Sequence, residues 1–177
     1  NVKMLGAQAS LITVVGDDEP GRKLRALIEK AGVATLMGVD PQLNTIVKLR
    51  VIGRSQQLIR VDFENQPDHE VLIEALGKFE RVLPEHDAVL FSDYGKGGLT
   101  HIPRMIELAR SAGKPVLVDP KGSDYERYRG ATVITPNRAE LAQVIGAWSS
   151  EAQLHERAQA LRRERALDGL LLTRSEE

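Results

Sequence analysis

The sequence predicts an α/β domain of three layers, α/β/α, built on a mainly parallel sheet with one small β-hairpin inserted. Three observations carry that prediction. Short apolar runs rich in branched residues alternate with segments of helical periodicity, as crossover units require. Those runs lack polar alternation, which suits strands buried on both faces. One stretch, 45–64, does alternate, with a period of two.

Leu11-Ile12-Thr13-Val14-Val15 reads as the first strand and ends at Gly16-Asp17-Asp18. Pro20 opens a helix with Leu24, Leu27, Ile28 and Ala31 on one face, and Gly32 closes it. A second helix is expected over 68–83, with Leu72, Ala75, Leu76 and Phe79 as its buried stripe. Ala88-Val89-Leu90-Phe91 is a strand running into Ser92-Asp93-Tyr94-Gly95-Lys96-Gly97-Gly98. Ile102, Met105, Ile106 and Ala109 mark a third helix, with Gly113 at its end and the strand Val116 to Val118 after it. Beyond the strand 131–134 follow a helix carrying Leu141, Val144 and Ile145, a helix over 151–165, and a last strand over 169–173.

The hairpin breaks this pattern. Val47, Leu49 and Val51 alternate with Lys48 and Arg50, and Ile59, Val61 and Phe63 alternate with Gln56, Arg60 and Asp62, around a turn at Gly53-Arg54-Ser55. One face is therefore apolar and the other crowded with cations. The apolar face must be buried against its own domain or a second copy of the chain. The polar face is then free to cover a site, or is simply solvated. The domain division expected is a core of 1–44 with 65–177 and a lid of 45–64.

The 177 residues include 24 Lys and Arg against 25 Asp and Glu, a net charge of −1, with no cysteine. The charges are interspersed, so no basic stripe captures nucleic acid. No apolar run approaches a membrane span, so no membrane partner is expected. The absence of cysteine removes disulfides, thiolate nucleophiles and thiolate metal sites, and fits a cytoplasmic protein. The four histidines show no metal-ligand spacing. Asn1 opens the chain where a methionine is usual, and Glu177 closely follows Leu170-Leu171-Leu172, so a fragment incomplete at both ends is expected.

Two polar loops follow apolar runs directly: Asp119-Pro120-Lys121-Gly122 and Thr135-Pro136-Asn137-Arg138-Ala139-Glu140. Ligands of a parallel sheet collect beyond the carboxyl ends of its strands. An acid, a lysine, an asparagine and a glutamate delivered there suit a magnesium–phosphate site. Asp, Pro, Asn and Gly are also common turn formers, so each loop alone can be a plain β-to-α connection.

In this order the pieces resemble the ribokinase-like (PfkB-type) carbohydrate kinases. Val14-Val15-Gly16-Asp17-Asp18-Glu19-Pro20-Gly21 is similar to that family's first strand–helix unit, and Asn137-Arg138-Ala139-Glu140 to its Asn-x-x-Glu motif. The stretches 48–64, 92–97 and 119–132 resemble its bacterial branch acting on D-glycero-β-D-manno-heptose 7-phosphate, whose members stand alone or are fused to an adenylyltransferase. The resemblance implies a ribokinase-like fold with a β-sheet lid, dimerisation through that lid, ATP and Mg2+ as cofactors, and a heptose phosphate as substrate. It implies a nucleotide side made of Asn137, Arg138, Ala139, Glu140, Lys121, Asp119, Thr173 and Arg174, with Glu140 reaching magnesium through water. It further implies a sugar-phosphate side of Lys48, Arg50, Gln57, Arg60, Asp93 and Lys96.

The family's Gly-Ala-Gly-Asp segment, which carries the catalytic base, is not among the 177 residues, so turnover by this chain alone is not expected. The resemblance further implies an amino-terminal strand and a sugar-contacting Gly-Gly that this sequence does not show, and residues are expected to have been dropped between Val2 and Lys3. Two other readings stay open: a related kinase for an unphosphorylated sugar or nucleoside, and a non-catalytic sugar- or nucleotide-binding homologue.

Overall fold

The structure, a computed structural model, describes residues 1–174. It divides into two compact units: residues 1–79 with 96–98, and residues 80–95 with those from 99 onward.

In the first unit, β1 (Ser10–Gly16) pairs in parallel with β2 (Ala34–Asp40), from Ser10 opposite Ala34 to Gly16 opposite Asp40. Between them runs α1 (Glu19–Lys30), whose N-cap Asp18 accepts from the Gly21 N–H at 2.8 Å. Strand β2 is absent from the sequence prediction. Gly38 interrupts its branched run because a Cβ there would lie 3.0 Å from Val71 Cγ1; the glycine marks a close approach, not a break. The apolar face of α1 is largely uncovered: Leu24 and Leu27 are 38% and 59% exposed, and Ala31 is exposed too. The buried residue of α1 is Gly21, so the helix is held at its first turn.

The hairpin forms with β3 (Val47–Gly53) antiparallel to β4 (Gln56–Phe63). Arg54 and Ser55 both take positive φ (46° and 72°), the backbone of a two-residue turn that matches strand twist. Val47, Leu49 and Val51 sit opposite Phe63, Val61 and Ile59, so the apolar alternations coincide on one face. Most of that face is open: Leu49, Ile59 and Phe63 are about half exposed. Helix α2 (His69–Val82) buries Leu72, Ala75 and Phe79.

Side-chain clamps hold both feet of the hairpin. Asp40 accepts from the Gln42 N–H (2.9 Å) before it and the Asp68 N–H (2.8 Å) after it. Asn65 accepts from the Asn44 N–H (2.7 Å) and donates to the Gln42 carbonyl (2.8 Å). Asp18 takes both the Thr45 hydroxyl (2.7 Å) and the Thr45 N–H (2.8 Å). At Gly16 a Cβ would stand 2.1 Å from the Leu43 carbonyl oxygen, so only glycine fits where that foot crosses β1.

The second unit is a four-stranded parallel sheet in sequential order: β5 (Val89–Ser92), β6 (Val116–Asp119), β7 (Val133–Ile134) and β8 (Gly169–Leu170). Helices α3 (Ile102–Ser111), α4 (Arg138–Ile145) and α5 (Glu151–Glu164) complete it, with a 3-10 turn at Tyr125–Tyr128. Ile102, Ile106, Val116, Val118, Tyr128, Ile134 and Leu141 are almost wholly buried. Truncating one such residue to alanine costs about 2–5 kcal/mol. The parallel strands are thus hydrogen-bonded in two groups, of two and four, where the sequence suggested one sheet. The ladders of β7 and β8 are also shorter than predicted, but pairing resumes at a bridge between Asn137 and Thr173.

Candidate active site

Because β5 to β8 are parallel and adjacent, their carboxyl ends deliver four loops to one edge. These carry Asp93, then Asp119 with Lys121, then Asn137 with Glu140, then Thr173 with Arg174. Asn137 is the N-cap of α4 and forms a capping box: its Oδ1 accepts from the Glu140 N–H (2.9 Å), and Glu140 Oε2 accepts from the Asn137 N–H (3.0 Å). The other carboxylate oxygen of Glu140 receives the Lys121 ammonium at 2.9 Å. Thr173 donates its N–H to the Pro136 carbonyl at 2.9 Å, which ties β8 to the same loop.

Charge is unevenly balanced here. Burial pushes the Glu140 carboxyl up, but the Asn137 N–H and Lys121 outweigh it and hold the group below its ordinary value. Asp119 moves the other way, raised first by burial and then by the Glu140 charge, with Lys121 opposing. Lys121 itself is raised by its hydrogen bond to Glu140. Two carboxylates therefore repel across one lysine, an arrangement that an added cation would relieve.

The remaining nucleotide-side residues flank this point. Arg138 lies over the Trp148 ring, 5.5 Å from its centroid, and Ala139 is exposed in the first turn of α4. Arg174 pairs with Glu151 at 2.6 Å, across a cavity of about 200 Å³ lined by Leu141, Leu154, His155 and Leu172.

Asp93 is buried, 5% exposed, and its oxygens are already engaged. Oδ1 accepts from the Gly95 N–H (2.8 Å) and Oδ2 from the Tyr128 hydroxyl (2.7 Å), with Arg127 Nη1 at 3.5 Å. The Tyr128 hydroxyl accepts in turn from the Lys121 N–H at 3.1 Å. Tyr128 and the neighbouring Tyr125 meet edge to face, with centroids 5.6 Å apart. Burial raises both phenols well above their usual range, so they stay protonated. Sequence reading missed Tyr128, since nothing local to 125–128 signals a partner at Asp93.

In the first unit, Lys48 is paired in register with Asp62 and Arg50 with Arg60. A bulge between Val51 and Ile52 gives β4 an extra residue, Leu58, so by register Gln57 shares the face of Arg50 and Arg60. Arg60 grips Asp62 with two hydrogen bonds (2.9 and 2.5 Å). The Asp62 carboxyl is held below its ordinary value first by that grip, with further help from Lys48 and Lys96. Lys96 also pairs with Glu64. Four cations thus stand against two carboxylates, and Arg50 has no carboxylate opposite it in register.

Among the described residues no group of three or more His, Cys, Asp or Glu could cage a metal. No helix among them is long and apolar enough to cross a membrane. An ion that keeps its own water still fits Asp119 and Glu140: both offer hard oxygen donors, and their mutual repulsion calls for positive charge.

Solved structures share the fold: a ribokinase from Giardia lamblia (TM-score 0.76, 14% identity, 95% of this chain and 57% of that one) and phosphofructokinase-2 from Escherichia coli in complex with fructose-6-phosphate (0.74, 16%, 98% and 59%). In sequence the chain is 49% identical over 177 residues to a D-beta-D-heptose 7-phosphate kinase of Bordetella bronchiseptica, covering all of this chain and 56% of that protein. It is 47% identical over 180 residues to the bifunctional protein HldE of Chromohalobacter salexigens, covering 37% of it. The chain therefore spans little more than half of the first relative and about a third of the second. The family described as pfkB family carbohydrate kinase matches residues 1–177. On that match, with the Asn137–Glu140 loop at the strand tips, the chain belongs to the pfkB family of carbohydrate kinases.

Proposed function

We propose that this protein, in its whole length, transfers the γ-phosphoryl group of ATP to the 1-hydroxyl of D-glycero-β-D-manno-heptose 7-phosphate. That reaction serves ADP-heptose and lipopolysaccharide inner-core synthesis in the cytoplasm. The observation that carries the substrate choice is the hairpin's cationic face. Lys48, Arg50 and Arg60 are more positive charge than a neutral sugar needs, and an acceptor already bearing a phosphate uses them. The relatives' names point the same way.

Phosphoryl transfer needs positioning and charge neutralisation more than covalent chemistry from the protein. On the sugar side, Arg50 and Arg60 offer planar forks to the 7-phosphate, Lys48 and Lys96 add point charges, and Gln57 hydrogen-bonds hydroxyls. On the nucleotide side, Lys121 exchanges Glu140 for a phosphate oxygen, while the N–H groups opening α4 and the Thr173 hydroxyl orient the triphosphate. Glu140, with Asp119 beside it, would hold a hydrated magnesium ion, which supplies charge neutralisation for the phosphates. The general base is the family's Gly-Ala-Gly-Asp aspartate.

The open apolar face of β3 and β4 supports a homodimer in which the hairpins of two copies cover each other. The test is ADP release by the whole-length protein with heptose 7-phosphate, unphosphorylated heptose and ribose in parallel. The expected preference for the phosphorylated sugar is at least about a hundredfold in kcat/KM, or nearly 3 kcal/mol. Equal rates would sink the assignment.

A further inference from the structure

We propose that Asp93 and Tyr128 are positioning residues for Lys121: their hydrogen-bonded pair fixes the loop that presents the Lys121 ammonium to nucleotide phosphate. The inference rests on the phosphotransfer reading above and deepens it, giving a buried acid outside the nucleotide loop a role in nucleotide affinity.

The starting point is a carboxylate used up inside the protein. Asp93 stands at the tip of β5, and its N–H donates to the Asp119 carbonyl (2.9 Å), which brings it beside the tip of β6. Its buried Oδ2 receives the Tyr128 hydroxyl, contributed from 35 residues away. Tyr128 is wholly buried and its ring is held by Tyr125 on one edge and the Arg127 guanidinium 5.7 Å away. Arg127 is anchored in turn by the Leu99 carbonyl at 2.8 Å. The hydroxyl therefore has little freedom. Donating to Asp93, it offers a lone pair to the Lys121 N–H at 3.1 Å.

That bond matters because Lys121 is the more exposed member of the pair that spans the site. Its side chain is half exposed, whereas its partner Glu140 is 12% exposed and locked by the Asn137 N–H. A lysine that must trade a carboxylate for a phosphate gains precision from a fixed backbone, since its four-carbon stem is flexible. The hydrogen bonds run from Gly95 through Asp93, Tyr128, Lys121 and Glu140 to Asn137, which is bridged to Thr173. One line of bonds therefore crosses the ends of all four strands.

The experiment is a double-mutant cycle in the whole-length protein with Tyr128→Phe, Lys121→Ala and both together. It is read as KM for MgATP, KM for the sugar phosphate, and MgATP binding by the fluorescence of Trp148. Tyr128→Phe keeps the ring and removes only the hydroxyl. Both of its bonds, to the Asp93 carboxylate and from the Lys121 N–H, are lost; we expect the MgATP KM to rise about five- to tenfold and the sugar-phosphate KM to change less than twofold, the scale of a lost contact at the Lys121 backbone. In the Lys121→Ala background it should change the MgATP KM less than twofold, because interacting residues are not additive. Equal effects in both backgrounds, or equal effects on both KM values, would overturn the proposal. Should Tyr128→Phe fail to fold, Asp93→Asn carries the same cycle. If transfer to heptose 7-phosphate is absent but MgATP binding shows the coupling, the reaction assignment falls and the positioning role stands. If MgATP does not bind at all, both fall.

Discussion

Arg50 and Arg60 are direct partners across the hairpin, two guanidinium-bearing positions in one register row. Like charges directly opposite destabilise a strand pair. Asp62 answers Arg60, and among the described residues no carboxylate stands opposite Arg50 in register. Arg50→Ala should therefore raise the sugar-phosphate KM by about tenfold or more, the scale of one lost charge-assisted contact, without lowering stability. Steady-state kinetics with each substrate varied, beside thermal melts, check both halves. An effect confined to ATP would contradict the face's assignment.

Glu140→Gln separates the two duties of that residue. Glutamine serves the third position of a capping box nearly as well as glutamate, so α4 should keep its start. The charge that attracts Lys121 and magnesium is lost. The magnesium concentration for half-maximal rate should rise several-fold while the melting temperature moves little. An unchanged magnesium titration would count against the role.

Asp119→Asn should stabilise the fold at neutral pH. The Asp119 carboxyl is raised, so its ionised form is disfavoured in the folded state, first by burial and then by Glu140. That cost is full above the raised folded value. It disappears as pH falls below the ordinary value of 3.8, where folded and unfolded states are both protonated. The gain, well under about 1 kcal/mol for so exposed a group, should be present at pH 7 and gone near pH 3. Thermal melts of both proteins across that window decide it.

Leu49→Asp and Ile59→Asp place charge on the open apolar face. If two copies cover it, either substitution should halve the mass seen by sedimentation. A wild-type protein that is monomeric at micromolar concentration would remove the dimer.

Gly16→Ala should cost about 2–4 kcal/mol, a large value for one methyl group, because the new Cβ collides with the Leu43 carbonyl at the foot of the hairpin. Urea unfolding measures it.

Much of the architecture was legible because burial writes itself into periodicity. The α3 stripe of Ile102, Met105, Ile106 and Ala109 is buried as its spacing implies. The hairpin's two alternations also fall into register. Strand β2 was hidden by Gly38, whose presence follows from Val71, far along the chain. The α1 stripe marks another limit: spacing specifies an apolar face but not what covers it, and Leu27 stays open. At the site, Asn137 and Glu140 could be seen because their geometry is local, three residues apart. The engagement of Asp93 could not, since it depends on Tyr128 arriving from another loop.

The capping box at Asn137 and Glu140 has a practical corollary. The same two residues that would stand beside a nucleotide also begin a helix, so alanine scanning there would merge loss of ligand with loss of α4 and overstate catalysis. Only substitutions that keep an acceptor at the first position and an acceptor at the fourth can tell the two apart. The same double duty narrows what evolution or an engineer can write at those sites even where the ligand changes.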